Sequence, residues 1–426
     1  MGSTAVMMVG GPTKGTRFRP LSLTLMKPLF PIAGKPLVMH PVLACQKIPD
    51  LLQVVLIGFY SEDEMKTLDT ALMSRELGVP VTYVQEESGG LGSAGGLHRF
   101  RDLLLQGNPE FLFVLNCDVC SDYPLNDMLA FHKTHGGQAT LLVKRVDSQT
   151  ARGHGAVVVE EGGKATGGGR VLHYAEKPGT LVSNTVNCGI YVFSCPSVFD
   201  TIGRLAEQKG KAVGFSAAEQ ALVPTSMLES LSARGRGKGA EDGPARLGMP
   251  DVFASLAESK QLYALESKGF WEQLKQPGSS LKFSRLYLSV MGSDLALARA
   301  RLKGGPEVVG NVYIHPTAEV HPTAKIGPNV AIEAGAVISQ GARVKDCIVL
   351  NDVQVLPHAC IVNSIVGWGS VVGPWARIQG SEDYDAQLGV SILAEDVVVG
   401  PQVVVSSSVI LPHKEIKSNV SNEIVL

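Results

Sequence analysis

The last third of this 426-residue chain repeats aliphatic residues at intervals of six. Small or apolar residues stand four places after most of them. A hexapeptide period places one aliphatic side chain inward on each face of a triangular coil, so that stacked coils share a continuous core. The pattern predicts a left-handed parallel β-helix (hexapeptide repeat) domain over residues 301–426. The aliphatic positions are Ile314, Val320, Ile326, Ile332, Ile338, Val344, Leu350, Leu356 and Val362, then Ile392, Val398, Val404, Ile410 and Ile416.

The repeat loses its phase between Gly367 and Gly389, where Trp368, Trp375 and an acidic stretch at 381–385 interrupt it. We expect a loop there that projects from the coils and contacts a partner protein. The flat faces and open ends of such coils favour association. The chain is therefore expected to form homo- or hetero-oligomers.

Residues 1 to about 205 alternate short apolar runs with helical stretches. Strands are expected at 5–9, 54–58, 81–84 and 111–115. This alternation is typical of a doubly wound α/β sheet, in which ligands bind beyond the carboxyl ends of the strands. We predict an α/β domain over residues 1–300, with a flexible Gly-rich insertion at about 208–248.

Charge and cysteine content argue against several classes of protein. Charged residues make up 18% of the chain and the net charge is −2, which does not favour binding to nucleic acid or to an anionic membrane. No apolar run reaches the ~18 residues that span a bilayer, and the start lacks the layout of a signal peptide. The seven cysteines have no paired metal-site spacing, so we expect reduced thiols and a cytoplasmic protein.

The first predicted strand runs into the sequence GGPTKGTRFRP, and a Lys-Pro pair follows at 27–28. Glycines let backbone N–H groups approach a phosphate closely, and Arg17 and Lys27 supply positive charge for a polyphosphate. The spacing matches neither the GxGxxG dinucleotide motif nor the P-loop. A different type of nucleotide-phosphate site is therefore predicted at this loop.

Polar residues follow two further predicted strands. Asp118 ends an apolar strand, where a carboxylate suits Mg²⁺ held between the protein and nucleotide phosphates. A second Gly-rich loop, which contains Gly92 and Ser93, follows Gln85. Its glycines would let a base and a ribose lie against the backbone.

Three polar residues near 180 suit a sugar phosphate. Glu176 and Asn187 offer hydrogen bonds to sugar hydroxyls, and Lys177 offers a charge to the phosphate. As isolated triplets, these residues would be ordinary surface residues. They indicate a function only together with the other motifs, through the order in which all of them occur along the chain.

Taken in order, these motifs resemble those of the GDP-mannose pyrophosphorylase (mannose-1-phosphate guanylyltransferase) family over nearly the whole chain. The extended opening loop, IGFY at 57–60 and NSIVGW at 363–368 are most similar to the alpha-type (regulatory) subunits. The resemblance implies a Rossmann-like nucleotidyltransferase domain. It also implies the reaction of the family, in which mannose-1-phosphate attacks the α-phosphate of GTP and pyrophosphate leaves.

The resemblance further implies a role for single residues. Arg17, Lys27 and Asp118 would be the catalytic residues, and Asp118 would bind Mg²⁺. The nucleotide phosphates would be held by Gly10, Gly11, Gly15, Thr16, Arg17 and Lys27, the guanosine by Gln85, Gly92 and Ser93, and the mannose-1-phosphate part by Gly155, Glu176, Lys177 and Asn187.

Three departures from the family pattern bear on catalysis. Residues 12–14 stand where active members have a single residue, Met26 replaces a proline, and Gln273 occupies the position of the second metal-binding aspartate. An amide does not neutralise a hard cation as a carboxylate does, and a displacement of about 1 Å can cost about 10²-fold in rate. We therefore expect a subunit that binds GDP-mannose and regulates its synthesis with a catalytic partner subunit, with weak or no activity of its own.

Two alternatives stay open. The first is an active mannose-1-phosphate guanylyltransferase, in which Asp118 and Glu272 hold Mg²⁺. The second is a scaffold subunit of a translation-initiation guanine-nucleotide exchange factor, which has the same two-domain architecture. Those chains carry a further helical domain after the β-helix, whereas this chain ends at Leu426.

Overall fold

The computed structural model describes residues 2–11, 16–86, 92–160, 167–212, 246–292, 305–384, 386 and 388–426. The chain divides into two compact units, each made of separate stretches. Unit 1 contains Met1–Gly11 and Pro41–Trp271, and unit 2 contains Pro12–His40 and Glu272–Leu426. Residues 213–245, which make up most of the predicted insertion, lie outside the described residues.

The strands before the repeat region are short, and several of them are separated by helices. They are β1 (Ser3–Gly10), β2 (Pro31–Ile32), β3 (Lys35–Pro36), β4 (Leu51–Gly58), β5 (Val81–Gln85), β6 (Phe111–Asn116), β7 (Val119–Ser121), β8 (Ala139–Arg145), β9 (Ala156–Val159), β10 (Gly168–Ala175), β11 (Thr185–Ser194), β12 (Leu262–Glu266) and β13 (Trp271–Gln273).

The α-helices lie in the same part of the chain. They are α1 (Met39–Ala44), α2 (Glu62–Met65), α3 (Thr70–Leu77), α4 (Ser93–Arg99), α5 (Arg101–Leu104), α6 (Leu125–His135), α7 (Ser148–Ala151), α8 (Ser197–Ala212), α9 (Met249–Glu258) and α10 (Ser279–Val290). Short 3₁₀ turns form at Thr16–Phe18, Leu21–Leu23, Lys27–Leu29 and Cys45–Lys47. Across the described residues, no helix combines the length and the apolar character needed to cross a bilayer.

Unit 1 is built around one mixed sheet with the strand order β5-β4-β1-β6-β11-β8-β12-β10-β9. Strands β5, β4, β1 and β6 run parallel, whereas β11 runs antiparallel to β6 and β8. The parallel strands are near-continuous apolar runs because they are buried within the unit, and Ala5, Val6 and Met7 have no exposed surface. The predicted α/β class is confirmed, while the parallel arrangement holds for only part of the sheet.

Two histidines near the end of α6 form a cluster with hydroxyl groups. The Nδ1 and Nε2 atoms of His132 lie 2.9 Å from Thr140 Oγ1 and 2.9 Å from Ser194 Oγ. His135 Nε2 lies 2.7 Å from the same Thr140 oxygen, and its ring stacks on Tyr263 at 3.9 Å. Burial lowers the pKa of both histidines to about 4. Both rings are therefore neutral at pH 7.

Unit 2 contains stacked coils of short parallel strands. Along one column, Ile326 pairs with Val344, which pairs with Ile361 and then Ile378, and all four side chains are buried. These stacked parallel strands are consistent with the predicted parallel β-helix, and its handedness stays a prediction. The strands are β14 (Glu307–Val308), β15 (Val312–Ile314), β16 (Glu319–Val320), β17 (Lys325–Ile326), β18 (Val330–Ile332), β19 (Val337–Ile338), β20 (Arg343–Val349), β21 (Gln354–Val355), β22 (Cys360–Val366), β23 (Val371–Val372), β24 (Arg377–Gln379), β25 (Ser391–Leu393), β26 (Val398–Val399), β27 (Val404–Ser406), β28 (Val409–Ile410), β29 (Glu415–Ile416), β30 (Val420–Ser421) and β31 (Ile424–Val425).

The hexapeptide phase slips by one residue at a corner of the coils. Residues 327–329 separate Ile326 of β17 from Val330 of β18. Only residues 345–346 separate the pairing partners of these two residues inside β20, and Asp346 among them is left-handed with a φ of 51°. The coil is shorter by one residue from there on. Several predicted inward positions were therefore wrong by one residue: the buried side chains are Val355, Ile361, Val399 and Val405, not Leu356, Val362, Val398 and Val404.

The insertion in the coils is narrower than the predicted 367–389. Residues 371–372 and 377–379 continue the coil strands, and Ser364 pairs with Ser391 beyond the insertion. Tyr384 anchors the inserted segment, since its hydroxyl accepts a 2.7 Å hydrogen bond from Arg285 of α10. Arg285 also donates to Asp346 at 2.7 Å. The insertion is thus held by the same corner at which the phase slips.

We expect the stability of the protein to fall as the pH is lowered from 7 to 5, in part because of the α6 cluster. An unfolded histidine, with a pKa of about 6.5, takes up protons that folded His132 does not, so stability is lost on acidification. The free energy of unfolding of the His132→Gln variant should fall less steeply than that of wild type, by about 1 kcal/mol per pH unit. Chemical unfolding at each pH measures the slopes. The same substitution at His413, whose side chain is 68% exposed, serves as control and should keep the wild-type slope. Equal slopes for His132→Gln and wild type would contradict this account.

Candidate functional site

The opening strand ends in two glycines whose surroundings require glycine. Gly10 has a φ of 79°, and its carbonyl accepts a 2.8 Å hydrogen bond from Phe59 N–H. A Cβ on Gly11 would lie 2.7 Å from the Cβ of Phe59. The backbone can therefore turn closely beyond the strand, as a phosphate site requires. Gly15 and the extension at 12–14 lie outside the described residues.

The carboxyl ends of the parallel strands bring three predicted residues to one edge of the unit 1 sheet, namely Gly10, Gln85 and Asp118. Gly10 pairs with Gly58, Gly58 pairs with Gln85, and Asn116 lies opposite Met8. Asp118 follows in the two-residue turn between β6 and β7. This is the edge at which α/β sheets bind ligands.

The second Gly-rich loop is tied to the start of α9. Gly92 has a φ of 85°, and a Cβ there would lie 2.3 Å from Leu247 O. That carbonyl accepts hydrogen bonds from the N–H groups of Ala94 and Gly95, at 3.1 and 3.3 Å, and the Ser93 hydroxyl accepts one from Met249 N–H at 3.0 Å. The polar groups that begin α4 therefore already bond within the protein. These hydrogen bonds to residues 247–249 were not predicted.

The predicted sugar-phosphate residues come together in unit 1. Asn187 N–H donates to Gly155 O at 2.9 Å, and Asn187 Nδ2 donates to the hydroxyl groups of Tyr174, at 3.3 Å, and Tyr191, at 3.0 Å. The Tyr174 hydroxyl in turn donates to Glu176 Oε2 at 2.7 Å. We call these five residues the Asn187 cluster.

Two tyrosines of this cluster were not identified from the sequence. Burial raises the pKa of both Tyr174 and Tyr191 above the ordinary value, so both remain hydrogen-bond donors. Tyr174 lies two residues before Glu176, the spacing at which side chains of an extended chain share a face. That spacing was the available signal. Lys177, also predicted, has its ammonium 3.6 Å from Glu176 Oε1.

Thr16, Arg17 and Lys27 belong to unit 2, whereas the other described site residues belong to unit 1. Arg17 is exposed in the 3₁₀ turn Thr16–Phe18. The Lys27 ammonium donates to Leu274 O at 2.5 Å. Its charge therefore lies beside the main chain that directly follows Gln273.

The donor set for Mg²⁺ is limited. Gln273 and Glu272 are half-buried neighbours in β13, so their side chains point to opposite faces. Within the described ranges, no group of three or more His, Cys, Asp or Glu side chains could hold a metal ion. Magnesium usually takes one or two carboxylates and completes its shell with phosphates and waters. Asp118, at the sheet edge, fits that use.

The fold and the sheet-edge residues define a class of protein that transfers or binds nucleotides. The nucleotidyl transferase family model matches residues 4–236. A second model, described as the GMPPB C-terminal domain, matches residues 308–425. A putative glucose-1-phosphate thymidylyltransferase of Bacillus anthracis, a solved structure, is 20% identical, with a TM-score of 0.49 and coverage of 67% of this chain and 95% of that one.

Relatives that match over nearly the whole chain identify the family within this class. The mannose-1-phosphate guanyltransferase alpha-A of Xenopus laevis is 43% identical, over 99% of both chains. The mannose-1-phosphate guanylyltransferase regulatory subunit alpha of Dictyostelium discoideum is also 43% identical, over 99% of this chain and 98% of that one. The chain therefore belongs to the alpha (regulatory) subunits of the mannose-1-phosphate guanylyltransferase family, as its motifs predicted.

A methyl group at Gly155 should disturb the Asn187 cluster. A Cβ there would lie 2.3 Å from the Tyr174 hydroxyl and 3.0 Å from Glu176 Oε2. Because overpacking of a close-packed site typically costs about 1–3 kcal/mol, Gly155→Ala should lower the free energy of unfolding by that amount. Denaturant unfolding measures it. Gly179→Ala is the control, since nothing lies within 4 Å of its added Cβ. A neutral Gly155→Ala would show that the cluster is loosely packed.

Proposed function

We propose that this chain binds GDP-mannose and regulates its synthesis together with a catalytic partner subunit. The Asn187 cluster is the observation that carries the proposal. It groups a carboxylate, an amide and two hydroxyls, the donor and acceptor types that sugar hydroxyls need. The names of the full-length relatives support the regulatory role.

The nucleotide would use the remaining motifs. The backbone at Gly10 and Gly11, with Thr16, Arg17 and Lys27, would hold the diphosphate, because cations and backbone N–H groups match its charge. Gln85 and the loop at Gly92 and Ser93 would contact the guanosine. Ser93 would do so with a hydroxyl that already accepts a hydrogen bond from Met249.

Catalysis would be weak for electrostatic reasons. Mg²⁺, held by Asp118 and the ligand phosphates, would neutralise phosphate charge. Gln273 offers no second carboxylate for that purpose. Losing one preorganised charge-stabilising contact typically costs about 10²–10³ in kcat. Binding depends on other residues and would survive this loss.

The second candidate is a working mannose-1-phosphate guanylyltransferase, and the position of Asp118 favours it. The carboxylate follows β6 at the sheet edge, where an active enzyme would need it. The scaffold subunit of an exchange factor has no such support, because the full-length relatives carry guanylyltransferase names.

We further propose a cytoplasmic, oligomeric protein with a catalytic guanylyltransferase subunit as its partner. All seven cysteines lie in described parts of the chain and none forms a disulfide, which supports a reducing compartment. The insertion anchored by Tyr384 presents Glu382 and Asp383 to solvent, and we propose it as a contact for the partner.

One experiment separates the two candidates. Pyrophosphate release is measured with purified chain, GTP, mannose-1-phosphate and Mg²⁺, and GDP-mannose binding is measured by calorimetry. We expect binding, with turnover far below the ~1 s⁻¹ at the low end of ordinary enzymes. Turnover of that size, lost in Asp118→Asn, would establish the enzyme instead. Absence of both binding and turnover would reject both candidates.

Glu176→Gln should weaken GDP-mannose binding by roughly tenfold or more. The change removes the charge from the carboxylate that accepts the Tyr174 hydroxyl, and hydrogen bonds to charged groups contribute about 1.5–3 kcal/mol. Calorimetry on the variant measures the affinity. Glu160→Gln is the matched control, because its exposed pair with Arg170 lies outside the Asn187 cluster. Equal affinities for all three chains would remove Glu176 from the site.

A further inference from the structure

Strand β11 is irregular directly beyond Asn187. Asn187 pairs with Val143 of β8, and Tyr191 pairs with Leu141. Four steps along β11 thus correspond to two along β8, so two extra residues bulge out of the ladder between Asn187 and Tyr191. Bulges redirect side chains and are over-represented beside active sites. Because Asn187 and Tyr191 both belong to the Asn187 cluster, the geometry of this bulge determines how their side chains meet.

Trp271 supplies a hydrogen bond to the main chain of the bulge. Its indole N–H donates at 2.9 Å to the buried carbonyl of Cys188, the first residue after Asn187. A carbonyl that is buried away from water needs such a donor. The Asn187 side chain closes the bulge from within, since its Oδ1 accepts a 2.9 Å hydrogen bond from the N–H of Gly189, which has a φ of 78°.

The same indole packs on the segment that carries Gly155. The rings of Trp271 and His154 form a T-shaped contact, with their centroids 5.1 Å apart and their planes at 68°. His154 directly precedes Gly155, whose carbonyl accepts the 2.9 Å hydrogen bond from Asn187 N–H. One side chain therefore contacts two of the stretches of chain that meet in the Asn187 cluster.

Lys144 of β8 holds the turn that leads to Trp271. Its ammonium donates to Gly269 O at 2.7 Å and to Ser267 O at 3.2 Å. The other side of the turn lies close to Asp122, because a Cβ added to Gly269 would overlap the Asp122 carboxylate. The turn is thus fixed from two sides, which sets the place of the indole two residues further along the chain.

We propose that Trp271 is a positioning residue for the sugar part of the sugar-nucleotide ligand. By donating to the Cys188 carbonyl and packing on His154, it fixes the spacing at which Asn187 joins the Gly155 segment. The inference rests on the proposed function, in which the Asn187 cluster binds the mannose part of GDP-mannose. The groups of a binding site must be held within about 0.5 Å of their productive geometry, so loss of this support weakens the sugar contacts.

A comparison of GDP-mannose with GDP, which lacks the sugar, separates this role from a general loss of structure. Trp271→Phe keeps an aromatic ring and removes the N–H donor. We expect calorimetry to show GDP-mannose binding weakened about tenfold and GDP binding unchanged, because an unsatisfied buried carbonyl displaces the bulge and the ligand must then restore it. Trp375→Phe is the matched control, since Trp375 is 63% exposed, and it should bind both ligands as wild type does.

A second variant leaves the indole in place. Lys144→Met releases the turn before Trp271, and we expect the same selective loss of GDP-mannose binding at a smaller size. Lys268→Met is its control, because Lys268 is exposed in the same turn and carries the same charge. Hydrogen–deuterium exchange of the ligand-free chain checks the cause. The peptide over residues 186–191 should exchange faster in Trp271→Phe than in wild type, and the peptides of the coils should not change.

The outcomes separate this proposal from the proposed function. Wild-type affinity for GDP-mannose in Trp271→Phe overturns the proposal and leaves the proposed function standing. An equal loss for GDP and GDP-mannose also overturns it, since the change would then act on the whole domain and not on the sugar site. If Trp271→Phe does not fold, Lys144→Met decides by the same criteria. If wild type binds neither ligand, the proposed function fails and this proposal fails with it.

Discussion

Stacking of the coils in unit 2 fixes the position of everything that packs on them. Each coil bonds to the next through parallel strands, and its aliphatic side chains fill one shared column. A coil cannot shift by one residue without turning that column toward water, because the side chains of a strand alternate between faces. The coils therefore form a rigid support. The N-terminal segment from Thr16 to His40 packs on this support.

The contacts of that segment follow the coils over a long distance in sequence. The Thr24 hydroxyl donates to Glu395 at 2.9 Å, and the rings of Phe30 and Trp368 lie nearly perpendicular with their centroids 6.2 Å apart. Gly34 meets Tyr313 near the other end of the coils. The segment that also carries Thr16, Arg17 and Lys27 thus packs on residues that come far later in the chain.

Local pattern predicted the parts of the fold that local physics determines. Strands such as β1, β4 and β6 are long apolar runs, and the hexapeptide period identified the coils before any contact was known. The slip at Asp346 was not predicted, because a corner of two residues, one of them left-handed, replaces a corner of three without changing the apolar pattern around it. The joining of Pro12–His40 to the coils also has no local signal. It arises from tertiary contacts, which periodicity does not report.

The candidate site likewise contains residues that could be predicted from the sequence and contacts that could not. Glu176 and Asn187 were identified by resemblance, but the hydroxyl of Tyr174 that joins them was not. The hydrogen bond from Met249 N–H to the Ser93 hydroxyl could not be predicted from the sequence either, since it connects residues on opposite sides of the predicted insertion. Single residues with a known motif could be predicted. Their partners required the fold.

Charge around Gln273 is the physical basis for the separation of binding and catalysis that we propose for this chain. Lys27 bonds to the main chain of Leu274, the residue that follows Gln273, and Lys275 stands next in sequence. Replacing an aspartate by glutamine removes a negative charge from a stretch that already carries cations. In the proposed site, attraction for a bound diphosphate would be kept, because that attraction depends on positive charge present in the ground state. Rate enhancement depends on groups that stabilise charge developing in the transition state, which a second carboxylate holding Mg²⁺ would have provided. On the proposed function, a single substitution of this kind would weaken turnover far more than binding, which is the balance that a regulatory subunit needs.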